Sequence, residues 1–208
     1  MGSEVTLMRM TALDRLLLLI TSLLAAYQIA VGIDGLGTLP IIAYTIAFGI
    51  LLVAGLLLII LGFDVLESPI VVIVTTAIPL SLSLGLVWEH VASYGTPYLL
   101  FVIVGFLAVL TTRLLPMRSK LPVLVLAIVH GVAGLTISGL PIVLSVTGHA
   151  RPAFSLVGVG GALIGVGGLL LTLLKAGKPV LSRGIILRVL PALLLVMTLA
   201  FVAGFALG

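Results

Sequence analysis

The chain has 208 residues, of which 62% are hydrophobic and only 8% are charged. A soluble domain carries about 25% charged residues, so this composition excludes a water-facing surface and makes lipid the main solvent of the chain. Cysteine is absent, which excludes disulfides and cysteine-ligated clusters and is also typical of heat-adapted proteins. We therefore expect an all-α, polytopic integral membrane protein.

Seven apolar runs follow one another along the chain, and each is long enough to cross a bilayer. A helix needs about 17 to 25 residues to cross a hydrocarbon core of ~30 Å. The runs predict transmembrane helices at 15–33, 40–63, 69–88, 97–115, 121–146, 154–175 and 184–207. Because they use most of the residues, we predict that residues 1–208 form a single transmembrane domain.

The basic residues predict how these seven helices are oriented. When the helix ends are assigned alternately to two sides, nine of the ten Lys and Arg residues fall on the side of the N-terminus, and Arg151 alone falls opposite. Lys and Arg are retained in the cytoplasm, so we predict a cytoplasmic N-terminus and an outside C-terminus in the plasma membrane. The same bias explains the net charge of +4, so the expected partner is the lipid bilayer and not nucleic acid.

Two parts of the sequence resemble each other weakly. The residues GLLL occur at 55–58 and again at 168–171, and Pro79 and Pro191 lie at nearly the same offset in the following runs. Three helices, a linker helix at 97–115 and three more helices would give a parallel repeat of 15–88 and 121–207. This three-one-three arrangement resembles that of SWEET and related PQ-loop transporters, although the Pro-Gln dipeptide is absent, since Leu80 follows Pro79.

Proline and glycine mark two further features of the apolar runs. Pro79 and Pro191 each remove a backbone hydrogen bond inside a span, and we interpret them either as packing kinks or as hinges that let each triplet rock. Gly161 and Gly165 have GxxxG spacing in the sixth run, which lets helix backbones approach closely. That face would join helices of this chain, a second copy, or another membrane subunit.

Polar residues inside the runs are few. His130 is the one histidine well inside a span, and its interpretation is either contact with a ligand or a hydrogen bond to a neighbouring helix. Further polar candidates for a neutral ligand are Tyr27, Gln28, Tyr44 and Thr76, which would line a pocket if they converge and would act as helix–helix contacts if they do not. Glu89, His90, His149 and Arg151 are expected together near the outer surface, in a spacing that is not diagnostic of a metal site, and we predict no metal.

Two functions from different classes fit these features. The absence of a central carboxylate or of a nucleophile–base pair disfavours coupled ion transport and catalysis, so we expect no enzyme activity, no catalytic residue and no cofactor. The first function is a small facilitator or channel-like transporter of a neutral or lipid-like solute, which the repeat and the prolines favour. The second is a non-catalytic accessory subunit of a larger, for example respiratory, membrane complex, which the glycine face favours.

Overall fold

The computed structural model describes residues 10–115, 120–175 and 180–208, and all of the regular secondary structure within those ranges is helical. The long helices are α1 (Ala12–Val31), α2 (Thr38–Leu61), α3 (Pro69–His90), α4 (Gly95–Leu114), α5 (Leu121–Val146), α6 (Ser155–Lys175) and α7 (Arg183–Leu207). All seven of these described helices are long and apolar enough to cross a membrane. The all-α class and the seven-helix prediction are confirmed, and the helices indicate a multi-pass membrane protein.

Short sequence signals determine where several of these helices begin and end. Thr11 and Asp14 form a capping box at the start of α1, in which the backbone N–H of Asp14 donates to Thr11 Oγ1 at 3.1 Å and the backbone N–H of Thr11 donates to Asp14 Oδ2 at 2.8 Å. Gly32 and Gly62 end α1 and α2 with φ angles of 71° and 76°, which glycine adopts at no steric cost. Ser182 caps α7 with its side chain.

Six of the long helices form a closed ring. Following contacts around the bundle, α1 packs on α2, α2 on α3, α3 on α5, α5 on α6, α6 on α7, and α7 returns to α1. The remaining helix, α4, lies outside the ring, with α3 and α5 as its principal neighbours. The most buried of the described spans are α3 and α7, which carry the two prolines predicted as kinks or hinges.

Glycines let the ring helices approach one another closely. A Cβ atom added at Gly55 of α2 would collide with Ser22 Oγ of α1. At Gly161 of α6 it would lie 2.9 Å from the backbone carbon of Ile137 in α5, and at Gly204 of α7 it would lie 2.7 Å from a backbone nitrogen of α6. Helices in a bilayer gain no hydrophobic free energy by associating with each other, so close packing of this kind holds the ring together.

The two ends of the bundle differ, and we name them by what they carry. The basic end contains the start of α1 and the α2–α3, α4–α5 and α6–α7 connections, and the described basic residues there are Arg15, Arg113, Lys120, Lys175, Arg183 and Arg188. Arg9, Arg118 and Lys178 fall outside the described residues. The cavity end contains the α1–α2, α3–α4 and α5–α6 connections and the end of α7.

The basic end is filled by side chains from both halves of the chain. A buried apolar cluster closes it, made of Leu18, Leu58, Phe63, Leu187 and Leu190. Outside that cluster Arg183 Nη2 donates to Glu67 Oε1 at 2.6 Å, which links the α2–α3 connection to the start of α7. The described part of the basic end is therefore packed shut.

Candidate functional site

A cavity of about 620 Å³ opens at the cavity end of the ring. Its walls come from α1, the α1–α2 loop, α2, the end of α3, the α5–α6 loop and the end of α7, so both halves of the chain contribute. The volume lies within the range of roughly 300–1,000 Å³ that is usual for small-molecule sites. The polar side chains that line it are Tyr27, Gln28, Asp34, Tyr44, His90, His149 and Arg151.

The α1–α2 loop forms one wall, and Gln28 holds it in place. The backbone N–H of Gly32 donates to the Gln28 carbonyl at 2.9 Å, and Gln28 Nε2 donates in turn to the Gly32 carbonyl at 2.9 Å. Gly32 and Gly35 have φ angles of 71° and 79°, and the turn between them carries Asp34 to the rim. The two hydrogen bonds fix the conformation of the segment that presents this carboxylate.

The α5–α6 loop forms another wall, and hydrogen bonds hold it as well. Gly148, with a φ of 75°, turns the chain at the end of α5. The Arg151 carbonyl then accepts hydrogen bonds from Ser145 Oγ at 3.2 Å and from the backbone N–H of Phe154 at 2.9 Å. The backbone of Arg151 is thus fixed at the rim of the cavity, while its guanidinium remains exposed.

Tyr44 is the most buried polar side chain of the cavity wall. It is only 5% exposed, and its ring fits against Gly85 of α3, where an added Cβ would lie 2.6 Å from the ring carbons Cε1 and Cζ. Its hydroxyl makes no hydrogen bond to any residue that the structure describes. A buried tyrosine hydroxyl normally has a partner, so a ligand in the cavity would find here a donor and acceptor that is not already engaged.

Gln28 offers a second such atom beside Tyr44. Its side chain is 6% exposed, and its Nε2 is engaged with the Gly32 carbonyl, which identifies Oε1 as the remaining acceptor. A side pocket of about 20 Å³, the size of one water molecule, also lies against Gln28 and Tyr44. The most buried part of the lining therefore combines the side-chain amide of Gln28 with the phenol of Tyr44.

Aromatic rings close the cavity from below. His90 stacks edge-on against Phe154 with ring centroids 5.0 Å apart, and Phe154 lies 6.3 Å from Phe205. Phe48 then continues the series, 6.2 Å from Phe205 and 6.5 Å from Phe201. Phe48 and Phe201 belong to the main core of the ring, so this series of rings separates the cavity from the bundle interior.

The structure brings three of the predicted ligand-binding residues together and leaves two apart. Tyr27, Gln28 and Tyr44 all line the cavity, although Tyr27 is 53% exposed and lies at its rim. Thr76 is fully buried, does not line the cavity, and donates to the Val72 carbonyl of its own helix at 2.7 Å.

His130 also lies away from the cavity, in the half of α5 nearer the basic end. Its Nδ1 is 3.1 Å from the Leu126 carbonyl of the same helix.

The predicted kink and packing residues have contrasting surroundings. Pro79 and Pro191 are both buried within their helices, and Ser83 Oγ donates to the Pro79 carbonyl at 2.7 Å. Gly161 is buried against α5, whereas Gly165 is exposed and has no described atom within 4 Å of a Cβ placed there. Within this chain, therefore, only Gly161 of the GxxxG pair is packed against another helix.

The histidines and carboxylates at this end do not form a metal site within the described residues. His90, His149 and Asp34 line the same cavity, but nowhere in residues 10–115, 120–175 and 180–208 do three or more His, Cys, Asp or Glu side chains group as metal ligands.

Three features of the site lie beyond the residues that sequence reasoning selected for it. Gly85 admits the Tyr44 ring, Phe205 forms part of the floor, and Asp34 reaches the rim. Gly85 and Phe205 stand in uniformly apolar runs, where nothing separates a site residue from a core residue. Asp34 was recognisable only as a charge at the end of a span.

Comparison with known proteins gives no relative from which a function could be transferred. The sequence matches no family model, no curated protein and no solved structure. The cavity therefore has to be interpreted from its own side chains.

Proposed function

We propose that this chain is a small membrane facilitator that binds a neutral, hydrogen-bonding or lipid-like solute in the cavity between its two halves. The observation that carries the proposal is the pair formed by Tyr44 and Gln28, two polar side chains that are more than nine-tenths buried and line a cavity of about 620 Å³. A neutral solute with one donor and one acceptor would satisfy both side chains.

In this proposal the basic end lies in the cytoplasm and the cavity opens to the outside of the plasma membrane. The positive-inside bias of nine basic residues against Arg151 supports that orientation. Because the chain has no cysteine, single-cysteine variants test it directly. A cysteine at Ser119, which lies outside the described residues, should resist an impermeant thiol reagent in intact cells, and one at the exposed Thr147 should react. The reverse pattern would overturn the orientation.

We further propose that residues 15–88 and 121–207 are a parallel repeat, with the axis along the bundle. If α1, α2 and α3 correspond to α5, α6 and α7, each contact of the ring corresponds to another: α1–α2 to α5–α6, α2–α3 to α6–α7, and α3–α5 to α7–α1. The correspondence does not extend to individual residues, since Gly55 is packed against α1 and Gly168 is exposed. The cavity would then lie between two equivalent loops, as expected for a site at a repeat interface.

The open end and the packed end of the bundle suggest how a solute would cross. A cavity that is open at one end and a bundle that is packed at the other correspond to one of the two states of alternating access. Passage of the solute requires the aromatic floor around Phe48 and Phe201 to open and the cluster around Phe63 to separate. Pro79 and Pro191, in the two most buried helices, are the proposed hinges.

Swelling of proteoliposomes tests the facilitator directly. Malonamide is a suitable solute because its amides supply donors and acceptors and it crosses lipid poorly. We expect vesicles with the protein to swell faster than protein-free vesicles, and Tyr44→Phe to slow the protein-dependent rate several-fold, because a hydrogen bond contributes about 0.5–1.5 kcal/mol. Tyr94→Phe is the matched control, since Tyr94 is exposed and does not line the cavity. Equal swelling with and without protein would overturn the proposal.

The accessory-subunit function remains as an alternative because of the outer face of α6. Around Gly165 no described atom would lie within 4 Å of an added Cβ, and Val166 and Leu169 beside it are exposed apolar side chains. A partner helix would pack closely there. Gentle native purification tests this: a stable larger complex that Gly165→Leu disrupts would favour the subunit, and a monomer insensitive to Gly165→Leu would favour the facilitator.

A further inference from the structure

The rim of the cavity carries two opposite charges that do not neutralise each other. Asp34 and Arg151 are the only permanently charged side chains among the described residues that line the cavity. Between them the structure records no salt bridge, and the one salt bridge among the described residues joins Arg183 and Glu67 at the other end of the bundle. Each rim charge is therefore left without a charged protein partner in that part of the chain.

The two charges also come from different loops of the cavity wall. Asp34 lies in the α1–α2 loop and Arg151 in the α5–α6 loop, and hydrogen bonds to Gly32 and to the Arg151 carbonyl hold both loops in fixed turns. The structure thus presents a carboxylate on one loop and a guanidinium on another, and the two do not pair. The carboxylate of Glu89 at the end of α3 lies close enough to act electrostatically on Tyr44 and His90 of the cavity wall.

A mouth with both charges discriminates between ligands by their charge. An anionic ligand gains from Arg151 but is repelled by Asp34, and a cationic ligand meets the reverse situation. A ligand that carries one positive and one negative group gains at both walls and leaves neither charge unpaired. Below the rim Phe154 and Phe205 offer aromatic surface for an apolar body.

We infer that the cavity takes a net-neutral zwitterion, in which an anionic and a cationic group are joined to an apolar, preferably aromatic body. The inference rests on the proposed function and narrows it from any neutral solute to this class. Arg151 and Asp34 select the charged head, and Gln28 and Tyr44 bind polar atoms that reach deeper. The head could belong to a free solute such as an amino acid or to a zwitterionic phospholipid, since both carry the same pair of charges.

Calorimetry on the purified full-length chain, with four probes of one shape, tests the inference. L-phenylalanine is the zwitterion, 3-phenylpropanoate the anion, phenethylamine the cation and 3-phenylpropanamide the uncharged molecule. At low ionic strength, where surface charges are least screened, we expect phenylalanine to bind at least tenfold more tightly than either singly charged probe and more tightly than the uncharged probe. If 3-phenylpropanamide binds as tightly as phenylalanine, the inference is overturned.

Two exposed rim variants show whether the charges act as proposed. Asp34→Asn should shift the preference towards 3-phenylpropanoate, and Arg151→Gln should shift it towards phenethylamine. Because both side chains are exposed, neither change should alter the melting temperature. If both variants keep the parent's order of affinities, the charge selection is refuted even though phenylalanine binds.

The outcomes separate this inference from the proposed function. Tyr44-dependent binding of 3-phenylpropanamide alone would keep a neutral-solute site and refute the zwitterion. If phenylalanine binds but the protein does not speed its uptake into vesicles, the zwitterion class is supported and transport is refuted. If none of the probes binds, both the zwitterion inference and the proposed function are refuted. Competition by dihexanoylphosphatidylcholine would identify a lipid head group as the ligand, and its failure to displace phenylalanine would identify a free solute.

Discussion

The two ends of the bundle are built from the same helices but are packed in opposite ways. At the basic end Leu18, Phe63 and Leu187 meet in a buried apolar cluster, and Glu67 and Arg183 pair outside it. At the cavity end the space between the two halves is open, and the buried polar side chains of Tyr44 and Gln28 line it. The chain thus fills one end with its own side chains and leaves the other end open.

This difference shows which end is suited to a ligand. A protein interior is normally packed like an organic crystal, and its buried polar groups are normally satisfied. The basic end meets the packing condition in its apolar cluster, although Arg113 Nε is buried there without a hydrogen-bond partner among the described residues. The cavity end leaves open space between the two halves.

Removing one phenylalanine ring from each end should give the largest loss of stability and the largest difference between the two ends. Phe63 is 5% exposed in the closed cluster, so Phe63→Ala should leave a cavity and cost about 3 kcal/mol of stability. Phe205 is half-buried and already borders the open cavity, so Phe205→Ala should cost less than half as much. Detergent melting measured side by side checks this, and equal losses would mean that the ends are equally packed.

The second largest difference in stability should be between substitutions at the two glycines of α6, Gly161 and Gly165. Gly161→Leu adds a side chain whose Cβ would lie 2.9 Å from a backbone atom of α5. The clash should lower the stability of the protein by about 2–3 kcal/mol. Gly165→Leu meets open space within this chain and should change stability by less than about 0.5 kcal/mol. Melting temperatures of the two purified variants decide the matter, and a large loss at Gly165 would reveal packing against another subunit.

The ion pair of the basic end should contribute little to its closure. Glu67 and Arg183 are 64% and 45% exposed, so we expect Glu67→Gln to cost only about 0.5 kcal/mol despite the 2.6 Å contact. The loss should disappear in high salt because exposed pairs are screened. A double-mutant cycle with Arg183→Gln measures the coupling energy of the pair. A coupling energy well above 1 kcal/mol would mean that the ion pair, and not the apolar cluster, contributes most to holding this end closed.

His130→Leu should have the smallest effect of all. The ring of His130 contacts a carbonyl of its own helix and does not line the cavity, so its removal leaves no interhelical partner without a hydrogen bond. We expect an unchanged melting temperature and unchanged malonamide swelling. Loss of swelling in a folded variant would place a functional group far from the cavity and would weaken the contrast between the ends.

Part of the site could be predicted from the sequence. Tyr27, Gln28 and Tyr44 stand out as polar residues in apolar runs, and all three line the cavity. Thr76 and His130 stand out by the same criterion and do not, because each contacts a carbonyl of its own helix. Residue type alone cannot distinguish a side chain that bonds within its helix from one that faces a void.

The sequence by itself determined the number of helices and their approximate bounds. Crossing a bilayer requires a run of apolar residues of known length, and that requirement is local, so each run can be found without its neighbours. The tertiary structure alone decided that α4 lies outside a ring of six helices, that Gly161 is packed while Gly165 is exposed, and that Asp34 faces Arg151 across a cavity. Those features depend on which helix faces meet, and in lipid every face is apolar, so periodicity carries little information about the partner of each face.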